Sequence, residues 1–509
     1  MGLFSRKDKS TKGASSIATS QSTTSFNSGT SRAVGNRISA GSMTSATPLS
    51  PMSPVKLPKI DLPRPPDPSL DPAGYLRSLG AVRERCHIVM QKTLKNELNH
   101  FDVDLNKFPD VVSFVSGLIK RDHEAPLTNI PGHGRYQHFC VGGRDRIAQM
   151  LSTWPANVDK AERCRRLVDL FLVSVLLDAG AGNQWKYKSS ENDRLYRRSE
   201  GLAIASLDMF KAGLFSGDAS NKLQVDKVGL KALTVEKLAA GLQSRPGNEL
   251  AGLEGRTALL IRLADALDEN KEFFGADGRP GNMTDHLLSH PSAQASSMLI
   301  VPLPVLWNVL MSGLSSIWPP SRTTLHGVSL GDAWPCKAMP QDGVGSWKSI
   351  LPFHKLTQWL TYSLMQPMQS LLNMHFAGTE LLTGLPEYRN GGLFVDMGVL
   401  TLKPDDRERG LQNYNDYCRR MGVEKCDQAP MFEPADDVVV EWRGVTVGLL
   451  DKLCTDVNEA LKDELHNEKL TLPQVLEAGS WKGGREIAEI HRPMTKEPPI
   501  LIESDGTVF

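Results

Sequence analysis

The chain has 509 residues, 40% of them apolar, and carries 58 Lys/Arg against 58 Asp/Glu. That size supports one large buried core or two ordinary ones without disulfides, and excludes a mini-protein. The charge is uneven: the first 60 residues hold eight of the Lys/Arg and one of the acids, so the remainder carries a net −7. Such a body lacks the basic footprint of nucleic-acid binding.

Composition predicts a tail followed by a single domain. Ser10 to Ser53 is Ser/Thr/Gly/Ala-rich and Pro51 to Pro72 is Pro-rich, a composition that cannot offset chain entropy by burial. Residues 1–72 are therefore expected to form a disordered Ser/Thr/Pro-rich tail and linker, and residues 73–509 a single large helical catalytic domain. Arg6 stands where a myristoylation signal usually has Ser or Thr, and no apolar signal segment follows. The seven cysteines are scattered and never spaced Cys-x-x-Cys, which argues against a disulfide framework or zinc ribbon and fits a reducing, cytoplasmic compartment.

Helical periodicity begins with Tyr75–Leu98 and continues in a second helix from Phe108, where Pro109 suits the first turn and Val111, Val112, Val115, Leu118 and Ile119 form an apolar stripe. Further helices are expected over Arg165–Leu177, Gly201–Lys211, Leu253–Phe274, Met298–Ile317, Phe353–Met374 and Val445–Leu465. Between His290 and Arg322 there is no charged residue, but prolines and serines interrupt the run. A buried helix is expected there rather than a membrane span, and no stable membrane insertion. Asp437–Trp442 reads as the clearest strand. The fold class is mainly α: a multi-helix globular domain with small β elements.

Several motifs carry no chemistry. Gly180-Ala-Gly182-Asn-Gln-Trp185 fails as a dinucleotide loop, because Trp185 occupies the third glycine position and the preceding run is helical. It leaves a turn that sets Asp178 and Trp185 beside a cavity, or a plain helix stop. His133, His138 and Cys140 share one stretch without the spacing of a metal site. No metal and no cofactor are expected.

The informative region is Leu351–Lys403. A helix there puts Lys355, Gln358 and Tyr362 on one face, with Lys355 as an anion clamp if that face lines a pocket; spacing alone favours a solvated face. In Leu382-Thr-Gly-Leu-Pro-Glu387-Tyr388-Arg389-Asn-Gly-Gly-Leu-Phe-Val-Asp396, a carboxylate, a phenol and a guanidinium are consecutive among apolar residues and glycines. A carboxylate between apolar walls suits stabilisation of a cationic transition state, against an exposed Glu-Arg turn as the plainer reading.

These segments, with Leu177–Gly182, Arg198-Ser-Glu-Gly-Leu202, Gly252-Leu-Glu-Gly-Arg256, Val440-Glu-Trp-Arg443 and Ser504–Phe509, resemble the uracil catabolism protein 4 family of fungal and bacterial pyrimidine degradation, from about residue 75 to the end. In that route uracil is carried as a ribosyl compound, its ring is opened and urea is recovered. The order of elements is also similar to queuosine salvage N-glycosidases, which cleave a nucleoside 5'-phosphate: Lys355, Gln358, Tyr388 and Arg389 match directly. Glu387 stands where that family has its catalytic Asp, and Ser363 where it has a distal Asp.

The resemblance implies hydrolysis of the N-glycosidic bond of ribosylurea or its 5'-phosphate, with Glu387 catalytic. Lys355 and Arg389 would hold a phosphate, Trp185 and Tyr388 would wall the ribose or urea, Gln358 would also bind substrate, and Asp178, Asp332 or Asp396 would assist the leaving group. The partner implied is the small-molecule substrate, a ribosyl or phosphoribosyl urea. Two alternatives stand beside this reading: an amidohydrolase of a ureido intermediate, and a non-catalytic scaffold gathering pathway enzymes through the tail.

Overall fold

The computed structural model describes residues 57–181, 184–294, 298–343, 345–422 and 428–503. The expected tail up to residue 56, together with Gly182, Ser296, Ser297, Cys426 and the Ser504–Phe509 string, lies outside them. Residues 57–71 run without regular structure to a first helix at Pro72–Leu76, and Leu62 packs over Gly378.

The architecture is mainly helical, with short strands joined in pairs. The pairs that matter most for the site are the antiparallel Ala333–Pro335 with Ile350–Pro352, and the parallel Ile300–Pro302 with His375–Ala377. One apolar core gathers around the helices Lys160–Leu176, Arg198–Ala212, Leu253–Glu269, Leu303–Gly313 and Lys355–Leu372. A second gathers around Leu79–Leu94, Phe108–Asp122, Tyr388–Asp396 and Asp437–Ala460. The chain passes between them at Leu382–Glu387: Leu382 and Leu385 belong to the first core, Leu393 and Phe394 to the second.

The structure corrects four expectations. Asp437–Trp442 is the start of the Asp437–Ala460 helix, not a strand, with Asp436 capping Val438 N at 3.0 Å. Val438, Val439, Val440, Glu441 and Trp442 are all buried, and a segment buried on every side loses the one-sided pattern that distinguishes the two periods. Met298–Ile317 is not one helix but a strand followed by Leu303–Gly313, which begins once Pro304 fits the first turn. Tyr75–Leu98 is split where Ser78 caps a new helix, and Leu253–Phe274 is split at Asn270. No helix among the described residues is long and apolar enough to cross a membrane.

Close packing of the Tyr388–Asp396 helix depends on glycine. A Cβ at Gly484 would lie 2.0 Å from the Arg389 carbonyl oxygen, and one at Gly391 would lie 2.8 Å from Trp442 and Thr446 atoms. The helix is thus gripped by its neighbours Trp481–His491 and Asp437–Ala460, which fixes its N-terminus.

Candidate functional site

The first arm of the site is the start of the Lys355–Leu372 helix. Its hairpin ends beside Asp332, whose backbone carbonyl accepts from Phe353 N at 2.9 Å and His354 N at 3.1 Å. A carboxylate oxygen of Asp332 accepts from Lys355 N at 2.9 Å. His354 takes a left-handed conformation, φ 47°, which costs a non-glycine residue about 1 kcal/mol. Its imidazole is held at 2.8 Å from the Leu76 carbonyl, and burial pushes its pKa down to about 4, so neutral Nε2–H donates. Lys355 itself remains partly exposed. Burial pushes its pKa down, while Glu387, Asp178 and Asp332 pull it back up.

The second arm is the loop Leu382–Pro386 and the helix that follows. Gln358 Nε2 donates to Thr383 Oγ1 at 2.9 Å, Thr383 N donates to Gln358 Oε1 at 3.2 Å, and Tyr362 OH donates to the Thr383 carbonyl at 2.9 Å. Asn390 Nδ2 holds the Leu385 carbonyl at 3.0 Å. Glu387 is the N-cap: its carboxylate accepts from Arg389 N at 2.8 Å and Asn390 N at 2.6 Å. The positive end of the helix favours this anion. Burial nonetheless pushes the Glu387 carboxyl above the ordinary glutamate range, against those N–H groups and Lys355.

A buried ion pair joins the arms. Arg443 donates to both oxygens of Asp332, at 2.8 and 2.7 Å, and its Nε reaches the Pro386 carbonyl at 3.2 Å. Burial opposes ionisation of Asp332, but the guanidinium holds its carboxyl well below the usual range.

Asp178 forms a third wall. It pairs with Arg135 at 2.7 Å, and Arg135 is fixed by Ser174 Oγ at 2.7 Å. Arg256 shapes the turn after Asp178 by donating to the carbonyls of Leu177 at 3.1 Å and Gly180 at 2.7 Å. Tyr388 lies under Arg389, whose guanidinium carbon sits 5.3 Å from the ring centre. Lys355, Asp178, Glu387 and Tyr388 each keep a partly exposed surface, whereas Gln358, Arg389 and Asn390 are buried.

The predicted residues therefore divide. Lys355 lies within charge range of Glu387 and Asp178, and the phenol of Tyr388, which burial keeps protonated, lies within range of Arg389 and Glu387. Gln358 and Tyr362 are buried, so their face of the helix is not solvated; they clamp the Thr383 loop. Trp185 is 1% exposed, its indole N–H bound to the Leu242 carbonyl at 2.8 Å, so it has no face left for a ligand. Asp396 ends the helix that Glu387 begins and is held by Arg492 at 2.9 and 2.5 Å. Arg443 thereby holds Asp332 as an anion rather than a proton donor, and Arg492 occupies both side-chain oxygens of Asp396. His133 bonds Glu477 at 2.5 Å and the His138 ring lies beside Trp359; no cluster of three metal-ligating side chains occurs among the described residues. Arg135, Arg198, Arg256 and Arg443 escaped the sequence reading as chemistry, although Arg198, Arg256 and Arg443 lie in three of the strings that carried the resemblance. Surface cavities of about 280 Å³ beside Trp154 and Leu223 and about 540 Å³ beside Val112 and Ser116 lie on other elements.

Residues 75–509 match the family model described as "Protein of unknown function (DUF1688)". The chain is 43% identical over 446 residues to uracil catabolism protein 4 of Lachancea kluyveri, a match covering 86% of this chain and 99% of that one. It is 45% identical over 442 residues to protein urg3 of Schizosaccharomyces pombe, covering 87% and 100% respectively.

Proposed function

The chain belongs to the DUF1688 family, and from this membership and its likeness to uracil catabolism protein 4 we propose that it acts in uracil catabolism as an N-glycosidase, hydrolysing a ribosylurea to urea and ribose. The observation that carries this reading is Glu387: a partly exposed carboxylate, seated on two helix N–H groups, pushed up by burial and facing Lys355.

Cleavage of the bond from the anomeric carbon to nitrogen builds positive charge on the sugar, and a preformed carboxylate in a poorly solvated site stabilises it. Glu387 also takes a proton as water adds its oxygen to the anomeric carbon. The bonding pair leaves on the urea nitrogen, which needs a proton in return. Lys355 is the cationic acid that feels Glu387 most directly, and burial has already lowered its proton affinity. In this reading Lys355 protonates the departing urea, and the proton gained by Glu387 returns to it after turnover. Asp178, tied to Arg135, orients polar groups of the substrate.

The reading is tested by incubating purified full-length protein with ribosylurea. Urea and reducing sugar are expected in equal amounts. Release of ammonia with the sugar still bound to nitrogen would assign amide hydrolysis instead, and no turnover of ribosylurea or its 5'-phosphate would overturn the proposal.

A further inference from the structure

The Pro-rich stretch that leads into the first helix presents a surface that the site chemistry does not use. Between Leu62 and Pro68, prolines stand at positions 63, 65, 66 and 68. Each fixes its own φ at about −65° and holds the residue before it in the β or polyproline II region. Every position from Leu62 to Asp67 is either a proline or directly precedes one. A chain so constrained favours the extended, left-handed polyproline II helix of three residues per turn. Residues 57–67 accordingly form neither α-helix nor strand.

The three-residue period separates an inner edge from an outer one. Leu62 and Pro65, one turn apart, touch the body: a Cβ at Gly378 would come within 2.7 Å of Leu62, and one at Gly80 within 3.3 Å of Pro65. Pro63 and Pro66, also one turn apart, are exposed, as are the cations Lys59 and Arg64. The arm ends at a fixed turn, where the Asp67 carbonyl accepts from Leu70 N at 3.0 Å and Asp71 N at 2.8 Å, and Asp71 caps the Pro72–Leu76 helix.

A Pro-rich spacer holds two bodies apart and gains nothing from lying along one of them. This segment is seated at Leu62 and Pro65 and still leaves its other edge open. Its backbone is set before any partner arrives, so binding orders little additional chain.

We propose that Leu62–Pro68 is a recognition arm for an SH3-type domain, a partner whose aromatic-lined groove accepts Pro63 and Pro66 and whose acidic border pairs with Arg64. The Pro-x-x-Pro spacing of Pro63-Arg64-Pro65-Pro66 sets the two prolines about 9 Å apart along one edge, and such segments dock in aromatic grooves because their helix is preformed. A cation beside that edge favours a groove bordered by acids over a neutral one. Directly upstream, outside the described residues, Pro51-Met-Ser-Pro54-Val-Lys56 repeats the spacing with a cation two residues on. The arm shares no residue with the candidate site, so its partner binds whether or not the protein turns over ribosylurea.

The test titrates the full chain, by calorimetry, with a panel of purified SH3 domains and a matching panel of WW domains, a second proline-reading family. At least one SH3 domain is expected to bind. Pro63→Ala/Pro66→Ala should weaken that binding at least about tenfold while melting close to wild type, because both prolines are exposed. Arg64→Glu should weaken it as well, and Pro51→Ala/Pro54→Ala should leave it intact. Binding by no SH3 domain, binding by WW domains alone, or undiminished affinity in either the Pro63/Pro66 or the Arg64 variant would each overturn the proposal. Loss of binding in the Pro51/Pro54 variant alone would overturn it too, by moving the contact upstream of the arm.

Discussion

Arg443 grips Asp332 through two parallel hydrogen bonds of 2.8 and 2.7 Å while its third nitrogen holds the Pro386 carbonyl. Asp332 in turn fixes the backbone N–H of Lys355. One buried pair thereby sets the spacing between Lys355 and Glu387, residues contributed by different cores.

Breaking this pair leaves an uncompensated buried charge, which typically costs about 3–5 kcal/mol. Arg443→Met and Asp332→Asn are each expected to lose stability of that order in urea unfolding. Arg443→Lys, which keeps the charge but not the fork, should unfold less readily than Arg443→Met yet still lose turnover.

The shifted groups at the centre predict a bell-shaped pH–rate profile. Activity falls on the acid side as Glu387 takes up a proton, at a pH above the ordinary glutamate value, because burial raises its pKa. It falls on the alkaline side as Lys355 loses its proton, at a pH below the ordinary lysine value. Lys355→Met removes a cation that favours ionised Glu387, so the acid limb should move to higher pH, the alkaline limb should vanish, and kcat should fall by roughly 10²–10⁴. Initial-rate measurements across pH check all three.

Legibility in the sequence followed local spacing. Glu387, Tyr388 and Arg389 are consecutive, and Lys355, Gln358 and Tyr362 share a helical period, so their neighbourhood was readable. What those groups face was not. Arg135, Arg256 and Arg443 reach the site from remote segments, and the polar stripe of Gln358 and Tyr362 reads as solvated until the Thr383 loop is seen to cover it. The valines of Asp437–Trp442 mimicked a strand because complete burial removes the one-sided pattern of an amphipathic helix.

Gln358 is expected to act by positioning rather than by touching substrate. Gln358→Leu leaves Thr383 N–H and Oγ1 without their partner, a loss of about 1–3 kcal/mol. It should lower kcat with no change in the acid limb of the pH profile, as kinetics and thermal melts on the same preparation would establish.

Away from the site, His100 lies 2.8 Å from both Asp406 and Asp437. Burial alone would lower its pKa, but the two carboxylates raise it to about 9. The folded value exceeds the ordinary one of about 6.5, so protonated His100 stabilises the fold fully below that pH. The stabilisation, on the order of 2–3 kcal/mol, is lost as pH rises through about 9. His100→Gln should flatten this dependence in urea unfolding at pH 6 and pH 9; an unchanged slope would assign the alkaline loss to other groups.

The most direct test is Glu387→Gln. The glutamine oxygen still accepts a helix N–H, so the variant should fold and bind ribosylurea like the wild type, while release of urea falls by at least about 100-fold. Urea release at the wild-type rate from a correctly folded Glu387→Gln protein would contradict the assignment.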